Sequence, residues 1–140
     1  MKRHLLRKKE AKEIFVEKMF HYIDKHNWEL YEWVVLDNHY HLLVKIKHAK
    51  DVSVFINSLH RTSAYHIKKY LKLNVDRFWY QYWDRCIRDE KQFYETAMYI
   101  VYNPLKHEYV SNMSEYAFSS YQWNNYGDQE KYRTLFREYD

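Results

Sequence analysis

Apolar and polar positions along the chain predict a helix first. Phe15, Val16, Met19, Phe20 and Ile23 recur at spacings of one and three, while Lys12, Glu13, Glu17, Lys18 and Asp24 fill the remaining face. That pattern is an amphipathic helix over about residues 9–26, its apolar stripe turned to a core. The segment Trp28 to Leu36 is aromatic and β-branched, which favours a strand. Asp37-Asn38 supplies turn chemistry and Tyr40 to Ile46 reads as a second strand, so the two predict a hairpin.

From about Asp51 to Leu73 the helical period returns, with Val52, Phe55, Ile56, Leu59, Ser63, Ile67, Tyr70 and Leu71 on one stripe. His60, Arg61, Lys68 and Lys69 fall off it and offer positive charge to solvent. Asn74-Val75-Asp76 breaks the pattern, and Arg77 to Arg85 interleaves arginine with Phe78, Trp79, Tyr80, Tyr82 and Trp83. Such a run either stacks unpaired bases or packs on neighbouring helices. Five rings are too many for one core face, so some are expected at the surface. A third helix starts at Asp89 or Glu90 with Phe93, Ala97, Ile100 and Val101 as its stripe. Tyr99 lies away from that stripe, near Glu95, Thr96 and Asn103. Pro104 makes Asn103 the expected last helical position.

Composition narrows the classes. With 46% hydrophobic residues, 16 Tyr and 5 Trp, a chain of 140 residues has the material for one folded domain spanning 1–140. The net charge of +4 permits a polyanionic partner without demanding one. A single cysteine, Cys86, excludes an intramolecular disulfide framework and a cysteine-based zinc cluster, and suits a reducing compartment. No apolar run is long enough to span a bilayer and no secretory signal is visible, so the expectation is a cytoplasmic protein with no membrane partner.

The candidate chemistry sits in Asn38-His39-Tyr40-His41. Strand side chains alternate, so His39 and His41 share one face and Tyr40 takes the other. Two neighbouring imidazoles can hold a divalent metal ion, although for such a pair taken alone a solvent-facing pair on a half-buried strand is the commoner explanation. Lys45 and Lys47 share the histidine face, which suits a phosphate ligand.

Four segments in order carry a resemblance: His39-Tyr40-His41, then Tyr82-Trp83-Asp84-Arg85-Cys86-Ile87-Arg88-Asp89, then Tyr99-Ile100-Val101-Tyr102-Asn103-Pro104-Leu105-Lys106, and a trailing Tyr116-Ala117-Phe118-Ser119-Ser120-Tyr121. Together they resemble the IS200-like, REP-associated single-tyrosine transposases of the HUH endonuclease superfamily, from about Leu5 to Tyr121. The resemblance implies an α+β fold, a ferredoxin-like α/β sandwich with an antiparallel sheet. It implies that His39 and His41 ligate Mg²⁺ or Mn²⁺ with Asn103 as third ligand, that Tyr40 is the bulky apolar member of the motif, and that Tyr99 is the nucleophile. Tyr102 is the rival nucleophile and faces elsewhere. A phenol of pKa about 10 needs such metal assistance at neutral pH. The implied reaction nicks single-stranded DNA beside a hairpin, leaving a 5′-phosphotyrosine and a free 3′-OH. Expected DNA contacts are Lys45, Arg61, Lys69, Arg77, Trp79, Tyr80 and Arg85. The alternative is a catalytically inert nucleic-acid-binding remnant of the family, and a more distant one a histidine-based hydrolase that uses water.

Two departures stand out. Relatives begin with a strand ahead of the first helix, and residues 1–8 are too few and too charged to supply it. The fold is therefore expected to lack the usual N-terminal strand, which raises a homodimer formed by strand sharing. Glu108 stands where relatives commonly carry Gly, which questions the local turn. The tail over 122–140 is expected to form a short terminal helix.

Overall fold

The computed structural model describes residues 4–80, 82–112 and 115–123. It contains helix α1 (Lys9–Lys25), strands β1 (Glu29–Val35) and β2 (Tyr40–Lys45), helix α2 (Asp51–Leu71), helix α3 (Glu90–Val101) and two short helices, α4 (Asn103–Lys106) and α5 (Ser120–Trp123). Residues 124–140 of the expected tail lie outside the described residues.

The sheet is an antiparallel β1–β2 hairpin, with helices on both faces. Alternation sorts its side chains. Trp33 and Val35 of β1, with Tyr40, Leu42 and Val44 of β2, pack against Phe15 and Met19 of α1 and Phe55 and Leu59 of α2. Val34, Leu36 and Leu43 pack on the opposite face against Phe93, Ala97 and Ile100 of α3. A strand covered on both faces reads as a continuous apolar run, which is why Trp33-Val34-Val35-Leu36 shows no period. The register slips between Leu30 and Glu32. The extra residue, Tyr31, thereby joins the α3 face, its ring 5.4 Å from that of Phe93.

The turn is fixed from α1. Lys12, expected on the polar face, is buried and ion-paired to Asp37 at 2.7 Å, with a second hydrogen bond to the Arg7 carbonyl. The Leu6 N–H donates to the Asp37 carbonyl. Both contacts act directly beside the histidine motif.

The trailing Tyr-Ala-Phe-Ser-Ser segment lines the free edge of β1. The Val35 N–H donates to the Phe118 carbonyl, Val34 bridges Ser119, and the Trp33 N–H donates to Ser120 Oγ. Ser120 also donates to the buried Glu32 carboxylate, and the Tyr116 hydroxyl to the Val35 carbonyl. Among the described residues, no further strand pairs with β2, so its outer edge carries no ladder.

Three further expectations are corrected. Tyr70, placed on the α2 stripe, is 62% exposed, because the stripe has rotated past the core by the last turn. His60, placed toward solvent, is packed between Tyr40 and Trp79. Helix α3 stops at Val101 rather than Asn103, and Pro104 lies in the first turn of a new helix, where its missing N–H costs nothing.

Candidate active site

The Asn38-His39-Tyr40-His41 strand carries the histidines on the α3 face. Their rings stand 5.1 Å apart, centre to centre. His39 Nδ1 donates to Asn38 Oδ1 at 2.7 Å, which leaves the lone pair on Nε2. Burial pushes the His39 pKa down to about 4, helped by His41 and His107, and burial with His107 lowers that of His41. Both imidazoles are thus neutral at pH 7, the form that binds metal.

Helix α3 presents Tyr99 to this pair. Asp89 caps the helix by accepting the Gln92 N–H at 2.8 Å, and the apolar stripe docks on the sheet. Tyr99, off that stripe, is 46% exposed and stands edge-on to His41 with ring centres 5.4 Å apart. The Lys106 ammonium lies over the Tyr99 ring, 5.0 Å from its centre. Tyr102 is also exposed.

His107, which drew no attention in the sequence, stands 5.8 Å from His39 ring to ring. Its position depends on α4 continuing the chain's turn after Pro104, and no periodicity signals that. Lys106 arrives by the same route.

Asn103 is fully buried, and both its side-chain polar atoms lack a hydrogen-bond partner; so does His41 Nε2. Unsatisfied buried polar atoms are uncommon and call for a ligand, a water or an ion. The two imidazole nitrogens and an amide oxygen fit a divalent cation by donor type. Among the described residues, no three His, Cys, Asp or Glu side chains gather at metal-holding distances.

On the other face, Tyr40 is more than an apolar spacer. Its hydroxyl hydrogen bonds His60 Nε2 at 2.7 Å, and His60 stacks on Trp79 with ring centres 4.4 Å apart and planes 12° from parallel. Trp79 Nε1–H donates to Ser63 Oγ at 3.0 Å. Burial pushes the Tyr40 pKa up and that of His60 down to about 4, so both are neutral.

The expected DNA contacts fall on separate elements. Arg61 and Lys69 are exposed on α2, and Lys45 ends β2 half-buried. Arg77 donates to the Trp79 carbonyl and lies over the Tyr80 ring, and Arg85 donates to Thr96 of α3 at 3.0 Å. Trp79 is committed to Phe15, Tyr40 and His60, whereas Trp83, absent from the expected set, is 90% exposed.

A two-stranded hairpin bearing paired histidines, faced by a helical tyrosine, is the arrangement that the sequence motifs implied. The chain belongs to the IS200-like transposase family, whose model matches residues 1–103. It is similar to a Haemophilus influenzae protein named as a candidate REP-associated tyrosine transposase, at 28% identity over 97 residues. That alignment covers 62% of this chain and 55% of the relative, so the chain spans about half the length of the curated relative it matches. The fold is similar to that of a REP-associated tyrosine transposase solved bound to a REP hairpin, with a TM-score of 0.68 and 22% identity, covering 88% of this chain and 71% of that one. No helix among the described residues is long and apolar enough to cross a membrane.

Proposed function

We propose that this transposase-family chain nicks and rejoins single-stranded DNA beside a hairpin through a tyrosine-linked intermediate. The observation that carries the reading is Tyr99 edge-on to His41, which joins α3 to the histidine strand. Tyr99 Oη would attack the scissile phosphorus. The Oη–P bond forms, the P–O3′ bond breaks, and the phenol loses its proton while the departing 3′ oxygen gains one. The product is a 5′-phosphotyrosine and a free 3′-OH, so the bond energy is kept for rejoining. Lys106, above the Tyr99 ring, would attract the phosphate and offset its charge.

His39, His41 and Asn103 would hold Mg²⁺ or Mn²⁺; when bound, the ion would polarise the scissile phosphate and withdraw charge in the transition state. Imidazole donors suit Mn²⁺ better than the oxygen-seeking Mg²⁺. The expected partner is hairpin-bearing DNA, as in the solved relative's complex. The unladdered outer edge of β2 supports a homodimer by strand pairing.

The test is to incubate the chain with a hairpin oligonucleotide carrying single-stranded flanks and Mn²⁺, then resolve the products under denaturing conditions. A covalent adduct plus a released fragment ending in 3′-OH supports the reading; hairpin binding with no cleavage sinks it. That second outcome is what the inert-remnant alternative predicts. Cleavage that leaves free 5′-phosphate ends and no adduct would indicate water as the nucleophile.

A further inference from the structure

On the face of the sheet opposite the histidines, an open depression of about 380 Å³ is lined by Asn57, His60, Tyr80, Tyr82 and Trp83. Its volume falls at the small end of ligand-binding pockets. Its walls are flat and unsaturated. His60 is held from behind by Tyr40 and Trp79, so that wall is rigid. Tyr82 meets the His60 ring edge-on, with centres 6.4 Å apart. Trp83 is 90% exposed beside them, which removes a large apolar ring from the core for no gain in folding. Asn57, on the exposed face of α2, offers an amide that can both donate and accept. At the rim the Arg77 guanidinium lies 4.7 Å from the centre of the Tyr80 ring, placing a fixed positive charge beside the aromatic wall.

Flat rings, one bifunctional amide and a rim cation match one kind of occupant: an unpaired nucleobase with its phosphate outward. We infer that this depression is a single-nucleobase site, in which Trp83 and Tyr82 stack an unpaired base of the single-stranded flank, Asn57 meets its hydrogen-bonding edge and Arg77 meets the adjoining phosphate. The inference rests on the reading of the chain as a DNA-handling transposase and adds a substrate contact to it. A duplex stem offers no free base face, so the site selects single-stranded flank over stem. The depression also connects mechanically to the catalytic strand. Tyr40, between the two histidines, is the residue whose hydroxyl holds His60. A base seated against His60 would therefore set the register of the flank relative to the strand that carries His39 and His41.

The test uses the full chain with Tyr99→Phe, so that no chemistry intervenes, and hairpins whose unpaired flank carries 2-aminopurine at one position at a time. The expected result is quenching at a single flank position, lost in Trp83→Ala and retained in Trp83→Tyr. Affinity for the flanked hairpin should fall roughly five- to fifty-fold in Trp83→Ala, while affinity for a blunt hairpin stays unchanged. Trp83 is exposed, and the circular dichroism of the variant should match that of the parent. Quenching at no position, equal loss for flanked and blunt hairpins, or no binding of either hairpin by the parent would each overturn the site. The cleavage reading fails separately: specific quenching with no adduct from the Tyr99 chain leaves the base site standing and removes the nuclease.

Discussion

The Tyr40 hydroxyl hydrogen bonds His60 Nε2 at 2.7 Å, so the strand position between the two histidines is pinned by α2. Both partners are largely withdrawn from water, and burial holds each in its neutral form. Removing the hydroxyl leaves an imidazole nitrogen without its partner. Tyr40→Phe is therefore expected to cost about 1–3 kcal/mol, read as a lowered urea midpoint with an unchanged slope. An unchanged midpoint would mean that the bond contributes nothing net.

Acid should destabilise the chain earlier than its carboxylates alone would. His39 and His60 have folded pKa values near 4, below the 6.5 of the unfolded chain, and His41 is shifted the same way, in each case chiefly by burial. Below pH 6.5 the unfolded state binds protons that the folded state refuses, so stability falls as pH drops. The stabilisation is complete above about pH 6.5 and is lost progressively toward pH 4. Urea midpoints at pH 7.5, 6.0 and 5.0 should decrease in that order. A flat profile across this window would show that the histidines titrate normally.

Glu108 occupies a left-handed conformation, φ 60°, just after α4. A side chain there meets the steric penalty that glycine avoids. Glu108→Gly is expected to stabilise the fold by about 0.5–1 kcal/mol, the relief of strain outweighing glycine's greater freedom when unfolded. Thermal denaturation checks it, and a lowered midpoint would show that the Glu108 side chain holds the turn.

The outer edge of β2 predicts self-association. Sedimentation velocity across micromolar to hundred-micromolar concentrations is expected to show a monomer giving way to a dimer, since an edge that carries no ladder among the described residues offers itself to a second strand. A single monomer boundary throughout would indicate that the edge is closed within the chain.

Much of the site was legible because it follows local periods. The two-residue alternation puts His39 and His41 on one face, Leu43 beneath them and Tyr40 on the other, whatever the sheet pairs with. The helical wheel likewise keeps Tyr99 off the Phe93, Ala97 and Ile100 stripe. Glu108 was legible as the wrong residue for its turn. What escaped depends on contacts between segments distant in sequence. His60 reads as a solvent-facing helix position until Trp79, from an irregular segment, folds over it. Lys12 reads as polar until Asp37 arrives from the hairpin turn. Lys106 and His107 reach Tyr99 and His39 only because the chain turns into α4 after Pro104. The Arg77–Arg85 run divided its rings between core and surface as anticipated, but which ring went where was set by tertiary packing: Phe78 and Trp79 turned inward and Trp83 outward.

The pairing of Tyr99 with His41 is tested most directly by locating the covalent bond. After reaction with a flanked hairpin oligonucleotide and Mn²⁺, the adduct is digested and the nucleotide-bearing peptide sequenced by mass spectrometry. The predicted result is a single modified residue, Tyr99, with Tyr99→Phe forming no adduct and Tyr102→Phe forming it normally. Modification at Tyr102, or an undiminished adduct from Tyr99→Phe, would contradict the assignment of the nucleophile to the tyrosine that stands against His41.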